Sequence, residues 1–203
     1  MLDQVDLDDG VRAVVFMGGM PDVFIRHFDV GVLSYTAERM SRREMRFETT
    51  RSVPESPCHI CLRRKRETPF AFIAAINGTA MGGRFEPAPA CGIRIALDGD
   101  NDLGLSEINI GLLSGAGGTQ RLRRLNGEGS AFEIIARGRT LSRAEALDWG
   151  IVSEVLAKDV VARDLEIAEE LPWKPARAFR NIKRRMREGS NVGSQMGRRT
   201  STF

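Results

Sequence analysis

One stretch of the sequence, residues 76–107 (INGTAMGGRFEPAPACGIRIALDGDNDLGLSE), constrains the fold more than any other part of the chain. It places Gly82 and Gly83 directly after an apolar run that predicts a buried strand, and Glu86 and then Glu107 follow. Because glycine has no Cβ, backbone N–H groups can approach a ligand closely there, and a helix N-terminus favours negative charge. The stretch therefore predicts a place that holds an oxyanion beside two carboxylates able to move protons.

The length and composition of the chain indicate one folded core. With 203 residues, 42% of them hydrophobic, the chain can bury a substantial core, which we expect over residues 1–173. Residues 174–203 are expected to form a C-terminal helix and a basic, flexible tail. Lys and Arg number 30 against 27 Asp and Glu, an excess too small to indicate a nucleic-acid partner by itself.

The cysteines indicate a reducing compartment. Cys58, Cys61 and Cys91 are an odd number, and no secretory signal precedes the first predicted strand, so we expect a cytoplasmic protein. Cys58 and Cys61 form a CxxC pair, but a structural zinc site needs a second ligand pair, so no metal is expected. No apolar run approaches the roughly 20 residues of a membrane span, and no membrane span is expected.

Strand and helix patterns alternate along the first half of the chain, which predicts an α/β fold. Apolar runs rich in β-branched residues predict strands at residues 11–17, 70–76 and 93–97. Helices are predicted at residues 57–67, 82–91, 119–125, 129–137, 142–149, 160–171 and 175–188. Ser142, followed by Glu145, forms a capping box at one of these helices.

Five segments in a fixed order carry a resemblance to a known family. They read VRAVVFMGG, VFIRHFDV, AAINGTAMGG, LGLSEINIGLLSGAGGTQRL and GRTLSRAEALDWGIVSEV. The chain resembles the crotonase superfamily, the enoyl-CoA hydratases and isomerases, over residues 2–188. The resemblance implies a crotonase-like ββα spiral (superhelix) core with C-terminal helices. Family members begin with further elements before the segment that matches Val11, so the chain is expected to be truncated at the N-terminus.

The resemblance also implies the residues of an active site. Backbone N–H groups of Phe28 and Gly83 would form the oxyanion hole for a thioester carbonyl, and Glu86 and Glu107 match the catalytic glutamates of hydratases. The substrate-binding positions implied are Arg26, His27, Asp29, Gly82 and Leu105. The expected reaction is the syn addition of water to a 2-enoyl-CoA thioester, in which preorganised N–H donors stabilise the enolate charge.

The partners follow from the same resemblance. It implies an acyl-CoA thioester substrate and a homo-oligomer, either a trimer or a hexamer. No cofactor is expected, because coenzyme A is part of the substrate. The run from Gly115 to Gly118 does not match a phosphate-binding loop, since Gln120 breaks the GxGxxG pattern, and we interpret it as a tight turn beside the site.

The sequence departs from the family pattern around Glu86. Arg84 occupies a position where a third glycine is common, and Pro87 and Pro89 lie in the predicted helix, which they should distort because proline lacks an N–H donor. These departures support one alternative hypothesis, a non-catalytic binder of acyl-CoA or protein. A second alternative is an enoyl-CoA isomerase that works with one carboxylate.

A third alternative is RNA binding through the basic stretch of residues 174–199. On a helix, Arg180, Lys183, Arg184 and Arg187 would share one face, and a basic face can bind the nucleic-acid backbone. The small net charge of the chain weighs against this hypothesis.

Overall fold

The computed structural model describes residues 10–25, 30–42, 57–100 and 102–196. Within these ranges the chain forms seven strands: β1 (Ala13–Met17), β2 (Asp22–Val23), β3 (Ala71–Ile76), β4 (Gly78–Met81), β5 (Ile93–Leu97), β6 (Leu103–Gly104) and β7 (Glu154–Leu156). The strands predicted at residues 11–17, 70–76 and 93–97 are confirmed as β1, β3 and β5.

The strands form two parallel sheets with an alternating order. One sheet has the order β1-β3-β5-β7, and the other has the order β2-β4-β6. Successive strands along the chain therefore alternate between the two sheets, the first in the larger sheet and the next in the smaller one. This arrangement is the crotonase-like spiral core that the sequence resemblance implies.

The strand β3 is one of the two internal strands of the larger sheet and pairs with β1 on one side and β5 on the other. All six of its residues are buried. A parallel strand covered on both faces reads as a continuous apolar run, which explains why FAFIAAI predicts a strand without alternation. The site stretch begins directly after this rigid strand.

Seven α-helices surround the sheets in the described residues: α1 (Val30–Arg42), α2 (Pro57–Glu67), α3 (Gly118–Asn126), α4 (Glu128–Ala136), α5 (Arg143–Asp148), α6 (Val160–Glu170) and α7 (Ala176–Met196). The capping box is confirmed: the Ser142 hydroxyl accepts the Glu145 N–H, and the Glu145 carboxylate accepts the Ser142 N–H. None of these helices is long and apolar enough to cross a membrane.

Two predictions about the helices are wrong. Residues 82–91 do not form an α-helix, for a reason given below with the site. The last helix does not end near residue 188, because α7 continues to Met196. Of the tail predicted to be irregular, only residues 197–203 lie outside the described part of the chain.

Asn77 ties together the two loops that follow β1 and β3. Its side-chain oxygen accepts the Gly18 N–H at 2.9 Å, and its amide nitrogen donates to the Met20 carbonyl at 3.0 Å. A Cβ on Gly18 would lie 1.9 Å from the Val23 carbonyl oxygen, so only glycine allows this close approach. The loop after β1 is thereby held against β4, the strand that leads to Gly82.

Candidate active site

The strand β4 ends in a tight turn at Gly82 and Gly83. Gly82 has a φ of +58°, a left-handed conformation that favours glycine. It begins a 3-10 helix, Gly82–Arg84, in which the Phe85 N–H donates to the Gly82 carbonyl at 2.8 Å. Gly83 is exposed at this turn, while Phe85 and Glu86 are buried.

The prolines explain why no α-helix follows this turn. In an α-helix, Pro87 and Pro89 would have to donate to the carbonyls of Gly83 and Phe85, and proline has no N–H. The chain instead makes successive tight turns, in which the Ala88 N–H donates to the Phe85 carbonyl and the Cys91 N–H donates to the Ala88 carbonyl. The sequence-based expectation of a distorted helix was too weak, since the segment contains no α-helix at all.

Glu86 is almost completely buried, with 2% of its surface exposed. Its carboxylate accepts the Ala116 N–H at 2.8 and 2.9 Å and the Gly118 N–H at 2.7 Å. Burial raises the pKa of Glu86, the two N–H donors lower it, and the nearby charge of Glu107 raises it. The net direction is upward, as expected of a carboxyl group that exchanges protons near neutral pH.

Glu107 begins a second 3-10 helix, Glu107–Ile110, directly after β6. A Cβ placed on Gly82 would lie 3.4 Å from Glu107 Oε1, so the Glu107 carboxylate rests against the Gly-Gly turn. Its Oε2 atom is buried and has no hydrogen-bond partner among the described residues. An unpaired buried carboxylate oxygen is costly unless a ligand or water meets it.

Both carboxylates therefore lie beside the Gly-Gly turn. Glu86 Oε2 lies 3.9 Å from the Cβ position of Gly83, and Glu107 Oε1 lies next to that of Gly82. The structure brings together four of the residues that the sequence singles out. Leu105, also implied as a substrate-binding residue, is fully buried, and its Cδ1 atom lies against Gly118 beside Glu86.

The other implied site residues lie outside the described part of the chain. These are Arg26, His27, Phe28 and Asp29, and their positions in the site stay a prediction.

Three groups at the site were missed by the sequence analysis. The backbone N–H groups of Ala116 and Gly118 hold Glu86, and Arg121 donates from Nη1 to the Ala116 carbonyl. Every residue except proline carries a backbone N–H, so the sequence offered no signal for Ala116. For Gly118 the signal in the sequence was the glycine itself, because the structure shows that a Cβ there would lie 2.9 Å from Glu86 Oε1. The run at Gly115 lies beside Glu86, where the sequence predicted a tight turn.

Arg84 is buried next to the exposed Gly83. Only 8% of its surface is exposed, and its Nε atom has no hydrogen-bond partner among the described residues. Burial lowers the pKa of the guanidinium.

The cysteines show no metal centre in the described residues. Cys58 is exposed, Cys61 is half-buried and Cys91 is buried, and all three are free thiols. No group of three or more potential metal ligands is present in the same part of the chain.

A spiral of paired parallel strands, with two carboxylates beside a Gly-Gly turn, defines a crotonase-like protein. A family model described as enoyl-CoA hydratase/isomerase matches residues 1–200, and the chain belongs to this family.

Related sequences carry similar names. The chain is 39% identical over 173 residues to a Bacillus subtilis protein named probable enoyl-CoA hydratase, and the matched region covers 85% of the chain and 62% of the relative. It is 32% identical over 198 residues to the fatty acid oxidation complex subunit alpha of Shewanella loihica, which covers 95% of the chain but only 26% of that relative. The chain thus spans less than two thirds of the length of these relatives.

Solved structures show the same fold. An enoyl-CoA hydratase from Bacillus anthracis superimposes with a TM-score of 0.79 at 32% identity, covering 98% of this chain and 74% of that one. The human mitochondrial delta3-delta2-enoyl-CoA isomerase superimposes with a TM-score of 0.75 at 21% identity, covering 97% and 73%. The second likeness concerns the fold alone.

Proposed function

We propose that the protein hydrates 2-enoyl-CoA thioesters. The observation that carries this proposal is the pair of carboxylates, Glu86 and Glu107, beside the exposed Gly83. Family membership and the hydratases among the similar proteins support it.

In the proposed reaction the thioester carbonyl oxygen accepts hydrogen bonds from the N–H groups of Gly83 and Phe28. The parallel pairing of Asp22 with Gly78 and of Val23 with Thr79 places β2 beside β4, the strand that leads to Gly82 and Gly83, which supports a contribution from the residues that follow β2. The two donors stabilise the negative charge that develops on this oxygen when hydroxide adds to the conjugated double bond. Loss of one such donor costs about 2.7–4 kcal/mol in other enzymes.

The carboxylates would supply the proton transfers. One carboxylate takes a proton from the water molecule while the oxygen of that water bonds to Cβ of the enoyl group. The other carboxyl group delivers a proton to Cα of the same group. Substrate and one water thus become a 3-hydroxyacyl thioester with no other product. Glu107 Oε2 has no hydrogen-bond partner among the described residues, so we assign to it the bond to this water in the substrate complex. The reaction needs no cofactor, because coenzyme A is part of the substrate.

The test is the hydration of crotonyl-CoA and longer 2-enoyl-CoAs, followed by the loss of ultraviolet absorbance of the conjugated thioester. Glu86→Gln and Glu107→Gln are each expected to lower kcat by about 10²–10⁴, the usual contribution of general acid–base catalysis. Glu169→Gln, on the exposed surface of α6, is the matched control and should leave kcat unchanged.

The hydratase proposal fails if the purified protein, folded by circular dichroism, hydrates none of these thioesters. It also fails if Glu86→Gln and Glu107→Gln are as active as the wild type. Calorimetry with crotonyl-CoA then separates a non-catalytic acyl-CoA binder, which gives a saturable heat, from a chain with no affinity for acyl-CoA.

One observation favours an isomerase as the second candidate. Both oxygens of Glu86 accept backbone N–H groups, whereas Glu107 keeps one oxygen without a partner among the described residues. A single free carboxylate suffices to move a proton from C2 to C4 and so shift a double bond. An isomerase would convert 3-enoyl-CoA to the conjugated 2-enoyl-CoA, raising the absorbance that hydration lowers, and would depend on Glu107 more than on Glu86.

The RNA-binding alternative loses its basis in α7. Lys183 is turned inward, where its Nζ donates to backbone carbonyls, and Arg184 lies 3.9 Å from Glu188. The four cations of the hypothesis therefore do not form one exposed basic face: Arg180, Lys183, Arg184 and Arg187.

We also propose that the protein assembles as a homo-oligomer, a trimer or a hexamer. Large apolar side chains on α4 and the neighbouring loop are exposed: Phe132 at 71%, Leu113 at 74% and Ile110 at 61%. Clustered apolar exposure of this kind is typical of subunit interfaces. Sedimentation velocity measures the assembly directly, and a monomer at micromolar concentration would contradict the proposal.

A further inference from the structure

A cavity of about 500 Å³ lies at the end of the larger sheet where β1 and β3 begin, opposite to the end that faces the carboxylate pair. Val11 and Arg12 line it just before β1, and Thr68 to Phe70 line it just before β3. The Gly-Gly turn, in contrast, follows the far ends of these strands. Strands of five or six residues at about 3.3 Å per residue separate the two places by about 16–20 Å. The cavity is therefore not part of the carboxylate site.

Cationic side chains outnumber carboxylates among the described residues that line the cavity. Glu67 is the one carboxylate in this set, against four cations: Arg12, Arg64, Lys174 and Arg180. Glu67 lies 3.5 Å from Arg63, and Lys174 lies 3.0 Å from Glu170. Arg180 makes no ion pair with any residue in the part of the chain that the structure describes. A concave surface lined by one sign of charge raises the local concentration of ions of the opposite sign.

One wall of the cavity is fixed by a buried lysine. Lys183 donates from Nζ to the carbonyls of Lys65 at 3.1 Å, Thr68 at 2.9 Å and Phe70 at 2.7 Å. These bonds hold α7 against the end of α2 and the start of β3. Arg180 on α7, Arg64 on α2 and Arg12 just before β1 therefore line a cavity in which α7 is fixed against α2 and the start of β3.

The same wall offers backbone donors and an apolar surface. Ala176, the first residue of the 21-residue helix α7, lines the cavity, and the first N–H groups of a helix have no acceptor within the helix. Val11, Leu171 and the half-buried Phe179 add an apolar lining. Convergent cations and N–H groups suit a phosphate, and the apolar lining suits a small ring attached to it.

We propose that this cavity binds a phosphorylated small molecule, with its phosphate among Arg12, Arg64 and Arg180 and its apolar group against Phe179. The ligand is a free phosphate ester and not the phosphate of a coenzyme A thioester at the carboxylate site. The proposal does not depend on the hydratase activity.

Isothermal titration calorimetry with phenyl phosphate, inorganic phosphate and phenol tests the proposal. Phenyl phosphate should bind one to one and more tightly than inorganic phosphate, and phenol should give no heat. Arg180→Gln should weaken phenyl phosphate binding by about tenfold or more, because hydrogen bonds to charged groups are the strong ones. Arg177→Gln is the matched control, an equal change of charge at an exposed position of α7 that does not line the cavity, and should change the affinity less than twofold.

Four results would overturn the proposal. The absence of heat from phenyl phosphate with folded protein rules out the site, and equal weakening by Arg180→Gln and Arg177→Gln reduces it to diffuse surface charge. Equal affinity for inorganic phosphate and phenyl phosphate rules out the apolar contact, which Phe179→Ala tests independently. Prior saturation with coenzyme A should leave phenyl phosphate binding unchanged, and competition between them would assign the cavity to coenzyme A.

Discussion

Gly118 lies where any side chain would collide with the buried carboxylate of Glu86. A Cβ at this position would be 2.9 Å from Glu86 Oε1 and 2.9 Å from Leu105 Cδ1, and neither neighbour is the free end of an exposed side chain. Gly118→Ala should therefore displace Glu86 or the start of α3. Small-to-large changes in packed interiors cost about 1–3 kcal/mol, and a misplacement of about 1 Å can lower the rate on the order of 10²-fold.

Urea unfolding and the thioester hydration assay measure these two effects. Gly129→Ala is a matched control, because Gly129 lies in α4 and a Cβ there would meet nothing within 4 Å. The control should keep full activity and gain up to about 1 kcal/mol of unfolding free energy, since alanine favours helix. A Gly118→Ala variant as active and stable as the wild type would show that the contact with Glu86 is unimportant.

The sequence predicts the residues that contribute side chains to the site, but not the backbone groups that hold them. Glu86 and Glu107 stand in recognisable motifs, and Gly82 carries the signal of a left-handed turn. The partners of Glu86 are backbone N–H groups of Ala116 and Gly118, and no residue type announces which N–H will point at a carboxylate. Their positions follow from how the start of α3 lies against Glu86, which is a tertiary arrangement.

At the scale of elements, local patterns were sufficient for β1, β3 and β5 and for six of the seven α-helices among the described residues, whereas the short strands β2, β4, β6 and β7 and the helix α1 were not predicted. The buried run at β3 and the capping box at Ser142 each have a local cause, so the sequence predicts them closely. The segment after Gly83 has an equally local cause, the missing donors of Pro87 and Pro89, whose effect the sequence analysis underestimated. The pairing of β1 with β3 and of β2 with β4 joins residues far apart in the chain, and no local pattern specifies it.

The attachment of α7 depends on one side chain, Lys183. Its three carbonyl acceptors lie at the end of α2 and the start of β3, and burial lowers its pKa to about 8. Lys183→Met removes the donors and leaves the carbonyls unpaired. It should lower the free energy of unfolding by about 1.5–3 kcal/mol, the usual range for hydrogen bonds to charged groups.

Limited proteolysis should show the same loss as faster release of α7 from the folded core. Arg185→Met is the control, because its side chain is 78% exposed and its nearest acid is Glu188 at 3.7 Å on the same helix. If Lys183→Met and Arg185→Met unfold at the same urea concentration and are cut at the same rate, Lys183 does not anchor the helix.

At the scale of the whole molecule, helix α6 covers the larger sheet and carries a fully buried carboxyl group. The helix packs against β1, β3 and β5, and Asp164 on this helix has no exposed surface. Neither carboxyl oxygen has a hydrogen-bond partner among the described residues. Burial is the largest cause of a raised pKa at Asp164; the charge of Glu154 also raises it and that of Arg163 lowers it, and the resulting pKa is about 7.

This raised pKa makes the stability of the whole fold depend on pH. The ordinary value is 3.8, so between about pH 4 and pH 7 the folded state holds a proton that the unfolded state has released. The contribution of Asp164 to stability is fully present below the unfolded value and is lost as pH rises through about 7.

Asp164→Asn keeps the size of the side chain and removes the titration. The unfolding free energy of this variant, relative to the wild type, should therefore rise by about 2–3 kcal/mol between about pH 5 and pH 8.5. Urea unfolding at a series of pH values measures the difference, with Asp148→Asn on the exposed side of α5 as the control that shows no such trend. A constant difference between Asp164→Asn and the wild type across this range would mean that Asp164 is ionised in the folded protein and is compensated by its surroundings.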